Sequence, residues 1–510
     1  MKRTANNTSM ITLKDTFLKC AVVTFLCCLL VTISTAQNPD QSAPEPSTGE
    51  SSSAQPSTGQ SPPDQPSATQ PSPEKKISPA EADELFRSVD EILQFASKDT
   101  GLPIKAKVKR RLVSRDEVEA YLKKNMQDDQ DTKRLQRSEL VLKKFGLLPQ
   151  QFDLRTFLLA LLKEQVAGYY DPKTKTVNLL DWLPAEQQRP VLAHELTHAL
   201  QDQSFNLDKW MRPDQDLDAK KQITWADIVE DESSETRQAV VEGQAMAVLV
   251  DYMLQPLGQS LLTAPQVVAG MKTQMLAGGP DSVEFGHAPM FMKQALTFPY
   301  SYGLDFVVRL LAAGGKTRAY AGVFADPPRI TRQIMEPQIY LSGQQLPPMA
   351  LPDFNRVFKD YDRFDLGAIG EFDVSMLLAQ YVNLDVAGEL APHWRGGYYY
   401  SAYPKHKPNS PLGLLYVSRW SSPETAQQFA AIYAKALPQR YKHIQSDPQD
   451  PPAVDLTTVQ SLNGAHRWNT EEGPVVISVN GDIVMASESL DDAVTQEIEH
   501  DLAASAVSAH

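Results

Sequence analysis

The sequence predicts an α+β protein, and three features of its 510 residues lead to this prediction. Patterns typical of amphipathic helices fill most of residues 78–350, where one short hairpin interrupts them. After residue 350, alternating strand patterns and the turn dipeptide Asn480-Gly481 replace them. Residues 37–77 contain almost no large apolar side chain. We therefore expect a targeting segment at 1–36, a linker at 37–77, a helix-rich domain at 78–350 and a small α+β C-terminal domain at 351–510.

The first 36 residues have the three parts of a secretory signal. Basic residues come first, an apolar run follows at 20–33, and Ser34-Thr35-Ala36 supplies small residues for cleavage after Ala36. The run is shorter than the ~20 residues that a membrane-spanning helix needs, so we expect an exported protein, periplasmic or secreted, with no stable membrane insertion after signal removal. All three cysteines lie in this segment, which leaves the mature chain without disulfides or thiolate metal ligands.

The mature chain is acidic. Removing residues 1–36 takes away four basic residues and one acidic residue, so 45 basic and 62 acidic residues remain and the net charge is −17. A surface of this sign repels nucleic acid and anionic membranes, and we expect neither as a partner.

Residues 37–77 are rich in Pro, Ser, Thr and Gln, and Pro46-Ser47-Thr48-Gly49 recurs at 56–59, which predicts a disordered tether. Order is expected to begin at Ser78-Pro79-Ala80-Glu81, because this run combines a helix cap, a proline at the first helical position and a glutamate three residues after the cap. The patterns that follow predict a helix to about residue 96, a lysine-lined edge strand at 104–109, and helices near 114–124, 131–145 and 154–165.

Residues 167–179 have the pattern of two short strands around a turn, with Pro172 suited to the second turn position. A strand in this place, just before a metal-binding helix, can offer its edge to an extended peptide substrate. An ordinary hairpin without that role is the alternative.

The run His194-Glu195-Leu196-Thr197-His198 is the strongest functional signal in the chain. On a helix, two histidines four residues apart project from one face and can bind one zinc ion, while Glu195 can act as general base on a zinc-bound water. This spacing is the signature of zincin peptidases. A surface helix with two solvated histidines is the alternative, and an apolar stripe along the same helix argues against it; the stripe consists of Leu192, Leu196, Ala199 and Leu200.

A third metal ligand must come from elsewhere, because catalytic zinc sites keep three protein ligands and one open position. Gln201 and Ser204 stand where the metzincin spacing needs glycine and histidine, which excludes that class. Glu242 is the candidate, since it lies among apolar residues of a helical pattern where only a cation would make its burial favourable. Gly243 is expected to let this helix approach the metal helix closely. Glu235, two turns earlier, is the rival ligand.

Several motifs together resemble exported bacterial zinc metallopeptidases of the gluzincin type. The resemblance runs over about 165–345 and rests on His194-Glu195-Leu196-Thr197-His198-Ala199-Leu200-Gln201-Asp202-Gln203, on Gly168-Tyr169-Tyr170-Asp171 before it and on Glu242-Gly243-Gln244-Ala245 after it. It implies a zincin-like domain, a small sheet over a helical lower half, with one Zn²⁺ held by His194, His198 and Glu242. The segments 298–303 and 327–334 also resemble that group, but the later one continues into Glu336-Pro337 where the group has a His-Pro pair.

A hydroxyl or imidazole group is expected to face the oxyanion that develops during hydrolysis. Tyr300 is the candidate, with His287 and Tyr302 behind it. A plain core role for these side chains is the alternative.

The C-terminal part shows strand patterns at 398–403 and 412–420, a helix capped by Ser422, a hairpin of 475–479 with 483–487, and a closing helix from Leu490. It contains no catalytic constellation, and its scattered histidines are expected at the surface or in the core; they are His393, His443 and His466. Its role is left open.

We thus expect an exported zinc-dependent endopeptidase that cleaves peptides or unfolded proteins, with Glu195 as general base and Tyr300 as oxyanion donor. Two rivals remain at this point. One is a non-catalytic, zinc-stabilised binding protein of the cell envelope, and the other is a zinc amidase that acts on cell-wall peptides.

Overall fold

The computed structural model describes residues 76–125, 129–211, 222–277, 282–446 and 454–507. The predicted signal at 1–36 and the linker up to residue 75 lie outside these ranges. The fold class is α+β, as predicted: one mixed three-stranded sheet lies within a helical part, and one antiparallel seven-stranded sheet follows it. No helix within the described ranges is both long and apolar enough to cross a membrane.

The helical part begins where the capping pattern predicted. Ser78 accepts from the backbone N–H of Glu81, whose side chain accepts from the N–H of Ser78. The helices of this part are α1 (Pro79–Thr100), α2 (Arg115–Asn125), α3 (Asp129–Lys144), α4 (Leu154–Gln165), α5 (Ala185–Phe205), α6 (Leu207–Trp210), α7 (Trp225–Leu254), α8 (Pro265–Ala277), α9 (Val283–His287), α10 (Met290–Lys316), a π-helical turn (Thr317–Gly322), α11 (Val323–Ala325), α12 (Thr331–Met335) and α13 (Pro337–Leu341).

The small sheet has the order β1 (Lys109–Val113), β3 (Thr176–Leu180), β2 (Tyr169–Asp171). β1 is parallel to β3, and β2 and β3 form the predicted hairpin. The strand predicted at 104–109 is wrong in position, since β1 starts at Lys109. The backbone N–H groups of Lys105 and Ala106 instead donate to the side chain of Gln203 on α5, so this stretch is tied to a helix and has no strand partner.

The large sheet has the order β4-β5-β6-β10-β9-β8-β7, and every neighbouring pair is antiparallel. Its strands are β4 (Tyr361–Ala368), β5 (Trp394–Pro404), β6 (Gly413–Trp420), β7 (Ile444–Ser446), β8 (Gly464–Thr470), β9 (Gly473–Asn480) and β10 (Ile483–Glu488). The accompanying helices are α14 (Phe354–Val357), α15 (Glu371–Tyr381), α16 (Leu384–Leu390), α17 (Pro423–Lys435), α18 (Leu437–Arg440) and α19 (Asp492–Val507). The hairpin across Asn480-Gly481, the helix after Ser422 and the closing helix are confirmed.

The centre of the large sheet is buried on both faces. Leu414 and Tyr416 point into the core that the sheet shares with the helical part, while Leu415 and Val417 point into a second core on the opposite face. Because the first core is continuous with that of the helices, the domain boundary near residue 350 stays a prediction.

Candidate metal centre

Helix α5 carries the histidine motif through the middle of the helical part, where it packs against α1, α7 and the strands of the hairpin. The buried side chain of Gln188 fixes its first turns, because it accepts from the N–H of Leu180 (2.9 Å) and donates to the carbonyls of Leu180 (2.9 Å) and Leu183 (2.6 Å). Pro190 lies inside the helix, one turn before His194, and does not mark the start of α5. The helix is therefore anchored to β3 before the motif begins.

The structure brings His194, His198 and Glu242 together. The two Nε2 atoms lie 3.0 Å apart, and Glu242 Oε2 lies 3.2 Å from Nε2 of His194 and 3.5 Å from Nε2 of His198. The imidazole rings are perpendicular, with centroids 4.6 Å apart. All three side chains are buried. Together they form a group, within the described ranges, whose nitrogen and oxygen atoms are close enough to hold one metal ion.

These atoms fit a metal ion by spacing and by their lack of other partners. Three ligands at ~2.05 Å in tetrahedral geometry are about 3.3 Å from one another, and the observed separations of 3.0, 3.2 and 3.5 Å bracket that value. Apart from the contacts of Glu242 with the two histidines, neither of its oxygens, nor Nδ1 of His194, has a hydrogen-bond partner among the residues that the structure describes. A buried carboxylate without hydrogen bonds is costly, and a cation between the three side chains removes that cost.

The charges at the centre are strongly coupled. Burial by itself would raise the pKa of Glu242, but the two histidines outweigh it and lower the pKa to about 2. Burial would lower the pKa of His198, yet Glu242 outweighs it and raises the pKa to about 9. Burial lowers the pKa of His194. Glu242 is thus an anion throughout the physiological pH range, as a metal ligand must be.

Glu195 lies beside the three ligands and is held by the hairpin. Its Oε2 accepts a hydrogen bond of 2.7 Å from the backbone N–H of Tyr170 in β2. The hydroxyl of Tyr170 donates to Asp202 Oδ2 (2.9 Å), which also accepts from Lys175 Nζ (2.6 Å), so one carboxylate of α5 fixes the hairpin against the helix. Burial raises the pKa of Glu195 to about 8, and the Tyr170 N–H acts against this rise. A buried carboxylate of this basicity suits proton transfer near neutral pH.

Tyr300 is at the centre, as its sequence position suggested. It is buried, its ring lies 6.3 Å from that of His194 at 23°, and burial followed by the charges of Glu242 and Glu195 raises its pKa. Its hydroxyl therefore stays protonated.

The expectation that Gly243 lets α7 approach the metal helix is wrong. A Cβ at Gly243 would lie 2.2 Å from the carbonyl carbon and oxygen of Gly303 on α10, and a Cβ at Gly303 would lie 2.2 Å from the carbonyl oxygen of Ala239. The two glycines let the backbones of α7 and α10 touch. This crossing lies next to Glu242 on one helix and one turn after Tyr300 on the other, so it places Tyr300 near the candidate metal ligands.

Other candidate residues lie elsewhere. Glu235 is buried but is not part of the metal group. His287 is exposed, with its Nδ1 2.9 Å from the carbonyl oxygen of Val283. Tyr302 packs against Phe298 with the ammonium of Lys272 over its ring.

The later segment that resembled the gluzincin group forms a partly buried cluster of ionisable side chains with Glu371. Glu336, which stands where the group has histidine, accepts from Nε of Arg332 (2.8 Å), and Glu371 lies 3.5 Å from the same nitrogen. The segment therefore supports the junction between the two parts of the chain.

Sequence reasoning missed several residues behind the site. The sequence motifs contain Asp202 and Tyr170 but indicate no role for either. Gln201 excludes the metzincin class but gives no sign that it contacts His198. Metal-binding histidines commonly donate the N–H of their second ring nitrogen to a nearby acceptor. A polar residue one turn after such a histidine on the same helix is therefore the sequence signal that could have predicted this contact.

A family model described as IrrE N-terminal-like domain, of a peptidase family, matches residues 149–226. The matched stretch contains α4, the hairpin and α5 with its two histidines, and it ends at the start of α7, before Glu242. No curated protein and no solved structure matches the chain significantly. The match supports a metallopeptidase-like domain in this region, and the buried His194, His198 and Glu242 are compatible with a metal ion.

Proposed function

We propose that the protein is an exported zinc-dependent endopeptidase. The observation that carries this proposal is the meeting of His194, His198 and Glu242 from two helices at ligand spacing, with the carboxylate of Glu195 held beside them. Two imidazoles, one carboxylate and an open position form the ligand set that catalytic zinc prefers, which is why zinc is the proposed metal.

A bound zinc ion would supply a Lewis acid that lowers the pKa of a water molecule and polarises the carbonyl of the scissile peptide bond. Glu195 would accept a proton from the attacking water and later donate it to the leaving amine, and the Tyr170 N–H holds Oε2 of this carboxylate in place. Tyr300, kept protonated by its burial, donates to the developing oxyanion.

We expect the substrate to be an extended peptide or an unfolded protein that pairs with β2. This strand lies at the edge of the small sheet, and the backbone of Tyr170 faces Glu195. In the structure β2 is buried, and Tyr121 of α2 stacks on Tyr169 with ring centroids 4.7 Å apart. Substrate binding therefore requires α2 to move, and its exposed ion pair of Glu119 with Lys163 resists this only weakly.

Export remains part of the proposal and rests on the pattern of the first 36 residues. N-terminal sequencing of the protein isolated from its producing cells is expected to begin at or near Gln37. An N-terminus at Met1 on membrane-bound protein would contradict it.

Metal removal and restoration test the enzymatic part. Protein from Gln37 onward is expected to carry about one zinc per chain, to cleave casein, to lose this activity on chelation and to regain it with Zn²⁺. Purified cell-wall peptides are assayed in parallel. Cleavage of these peptides alone would favour the amidase, and a zinc-loaded protein that cuts neither substrate would favour the binding protein.

A further inference from the structure

Two fully buried glutamines stand behind the metal centre, and the proposed chemistry does not use them. Gln201 lies three residues after His198 on α5, and Gln244 lies two residues after Glu242 on α7. A buried amide must place both its oxygen and its nitrogen against suitable partners, so the orientation of each can be derived from what surrounds it.

The contacts of Gln244 with the π-helical turn fix the orientation of both amides. Gln244 Nε2 donates to the carbonyl oxygens of Ala319 (2.7 Å) and Tyr320 (3.2 Å) in the π-helical turn. Carbonyl oxygens only accept, so a flipped Gln244 would place its own oxygen against two others. The oxygen of Gln244 must therefore face Gln201.

The same reasoning orients Gln201. Its Nε2 donates to Gln244 Oε1 (2.8 Å) and to the carbonyl oxygen of Val241 (3.0 Å), and both of these atoms are acceptors. Its Oε1 is consequently turned to His198 and lies 2.9 Å from Nδ1. Only a protonated Nδ1 can donate to that oxygen, which leaves the lone pair of His198 on Nε2, the atom beside His194 and Glu242.

We propose that Gln201 and Gln244 form a hydrogen-bonded pair of amides with a fixed orientation, anchored on the carbonyls of the π-helical turn, and that this pair determines which nitrogen of His198 binds the metal. We call this pair the relay. This inference rests on the proposed metal site. The relay also ties α5 to α7 at Val241 and Gln244, on either side of Glu242, and so fixes the third ligand relative to the histidine helix. Within the part of the chain that the structure describes, Nδ1 of His194 makes no hydrogen bond, so this histidine lacks such support. His198 is thus the imidazole that the protein orients in advance.

The relay predicts that Gln244, which does not touch His198, controls metal binding. Gln201→Met and Gln244→Met each lower the affinity for Zn²⁺ by about 10- to 100-fold, the usual effect of losing support behind a ligand. Affinity is measured on the full chain by competition with a chromophoric chelator, and circular dichroism checks the fold of each variant. The double variant loses no more than the worse single variant, because both substitutions break the same chain. Gln238→Met is the matched control for Gln244→Met. Gln238 is a buried glutamine of α7 whose amide nitrogen makes no hydrogen bond to any residue that the structure describes. Its replacement is expected to leave the affinity for Zn²⁺ unchanged.

A second measurement needs no variant. In the zinc-loaded wild-type chain, ¹⁵N-histidine NMR is expected to show His198 with its proton on Nδ1. A proton on Nε2, or wild-type zinc affinity in a folded Gln244→Met, would overturn the relay. A wild-type chain that binds no zinc would overturn the proposed function itself, so the two failures are distinguishable.

Discussion

Replacing Gly303 by alanine tests the backbone contact that carries Tyr300 to the metal ligands. The new Cβ would lie 2.2 Å from the carbonyl oxygen of Ala239 and 3.1 Å from Cα of Gly243. Carbon atoms in contact prefer about 3.5–4.0 Å, so α7 and α10 must separate by roughly 1 Å. Overpacking of this kind costs about 1–3 kcal/mol, partly offset by the better helix propensity of alanine, about 1 kcal/mol. We expect a net loss of up to about 2 kcal/mol of stability.

Gly270→Ala is the matched control, because Gly270 is an exposed glycine of α8 with nothing within 4 Å of its added Cβ. It is expected to gain about 0.5–1 kcal/mol. Urea unfolding of the metal-free variants, followed by helical circular dichroism, should thus place the Gly303→Ala midpoint below wild type and the control at or above it. A shift of Tyr300 by about 1 Å would also lower the peptidase rate by up to about 10²-fold. Equal midpoints for the two variants would refute the close contact of α7 with α10.

Three further predictions concern single side chains. Glu242→Gln should lower zinc affinity by orders of magnitude because it removes an anionic ligand, whereas Glu235→Gln should leave it nearly unchanged in the same chelator competition; the reverse result would exchange their roles. Tyr300→Phe should keep zinc and stability but cleave casein about 10²-fold more slowly, since it removes one oxyanion donor, and an unchanged rate would remove Tyr300 from the mechanism. Burial raises the pKa of Glu371 to about 9, so the folded state keeps a proton that the unfolded chain loses above about pH 4.5, and stability falls as pH rises through this window. Glu371→Gln should therefore gain stability over wild type at pH 9 relative to pH 5 in urea unfolding, and a pH-independent difference would contradict the raised pKa.

Local patterns were sufficient to predict the elements that build the candidate metal centre. The spacing of His194 and His198, the apolar setting of Glu242 and the hairpin before α5 are all short-range features, and the structure brings them together. The capping box at Ser78 and the Asn480-Gly481 turn are equally local, and both were placed correctly.

Contacts between distant segments could not be predicted in the same way. The alternation at 104–109 suggested a strand, but Gln203, about a hundred residues later, takes the backbone groups that a strand would use. Gly243 indicated a close helix contact without saying which helix supplies it, and only the fold shows that Gly303 does.

The C-terminal sheet illustrates a different limit. Its strands β4, β7 and β8 and its helices α15 and α16 were not predicted from the sequence. Burial explains part of this for β4, because its last four residues, Asp365 to Ala368, are all buried and the strand lacks the alternation that marks a half-buried strand. β8 is mostly polar and has one buried apolar side chain, that of Trp468, which is too few to show a strand pattern.

Glu195→Gln is the most direct test of the account, because Glu195 is proposed to handle the proton and not to bind the metal. The amide keeps an acceptor for the Tyr170 N–H, so fold, stability and zinc content should equal those of wild type. Casein cleavage is measured for both proteins, with metal content determined on the same samples. We expect equal zinc content and a rate of casein cleavage about 10²- to 10⁴-fold lower in the variant. Equal zinc with an equal rate of casein cleavage would contradict it.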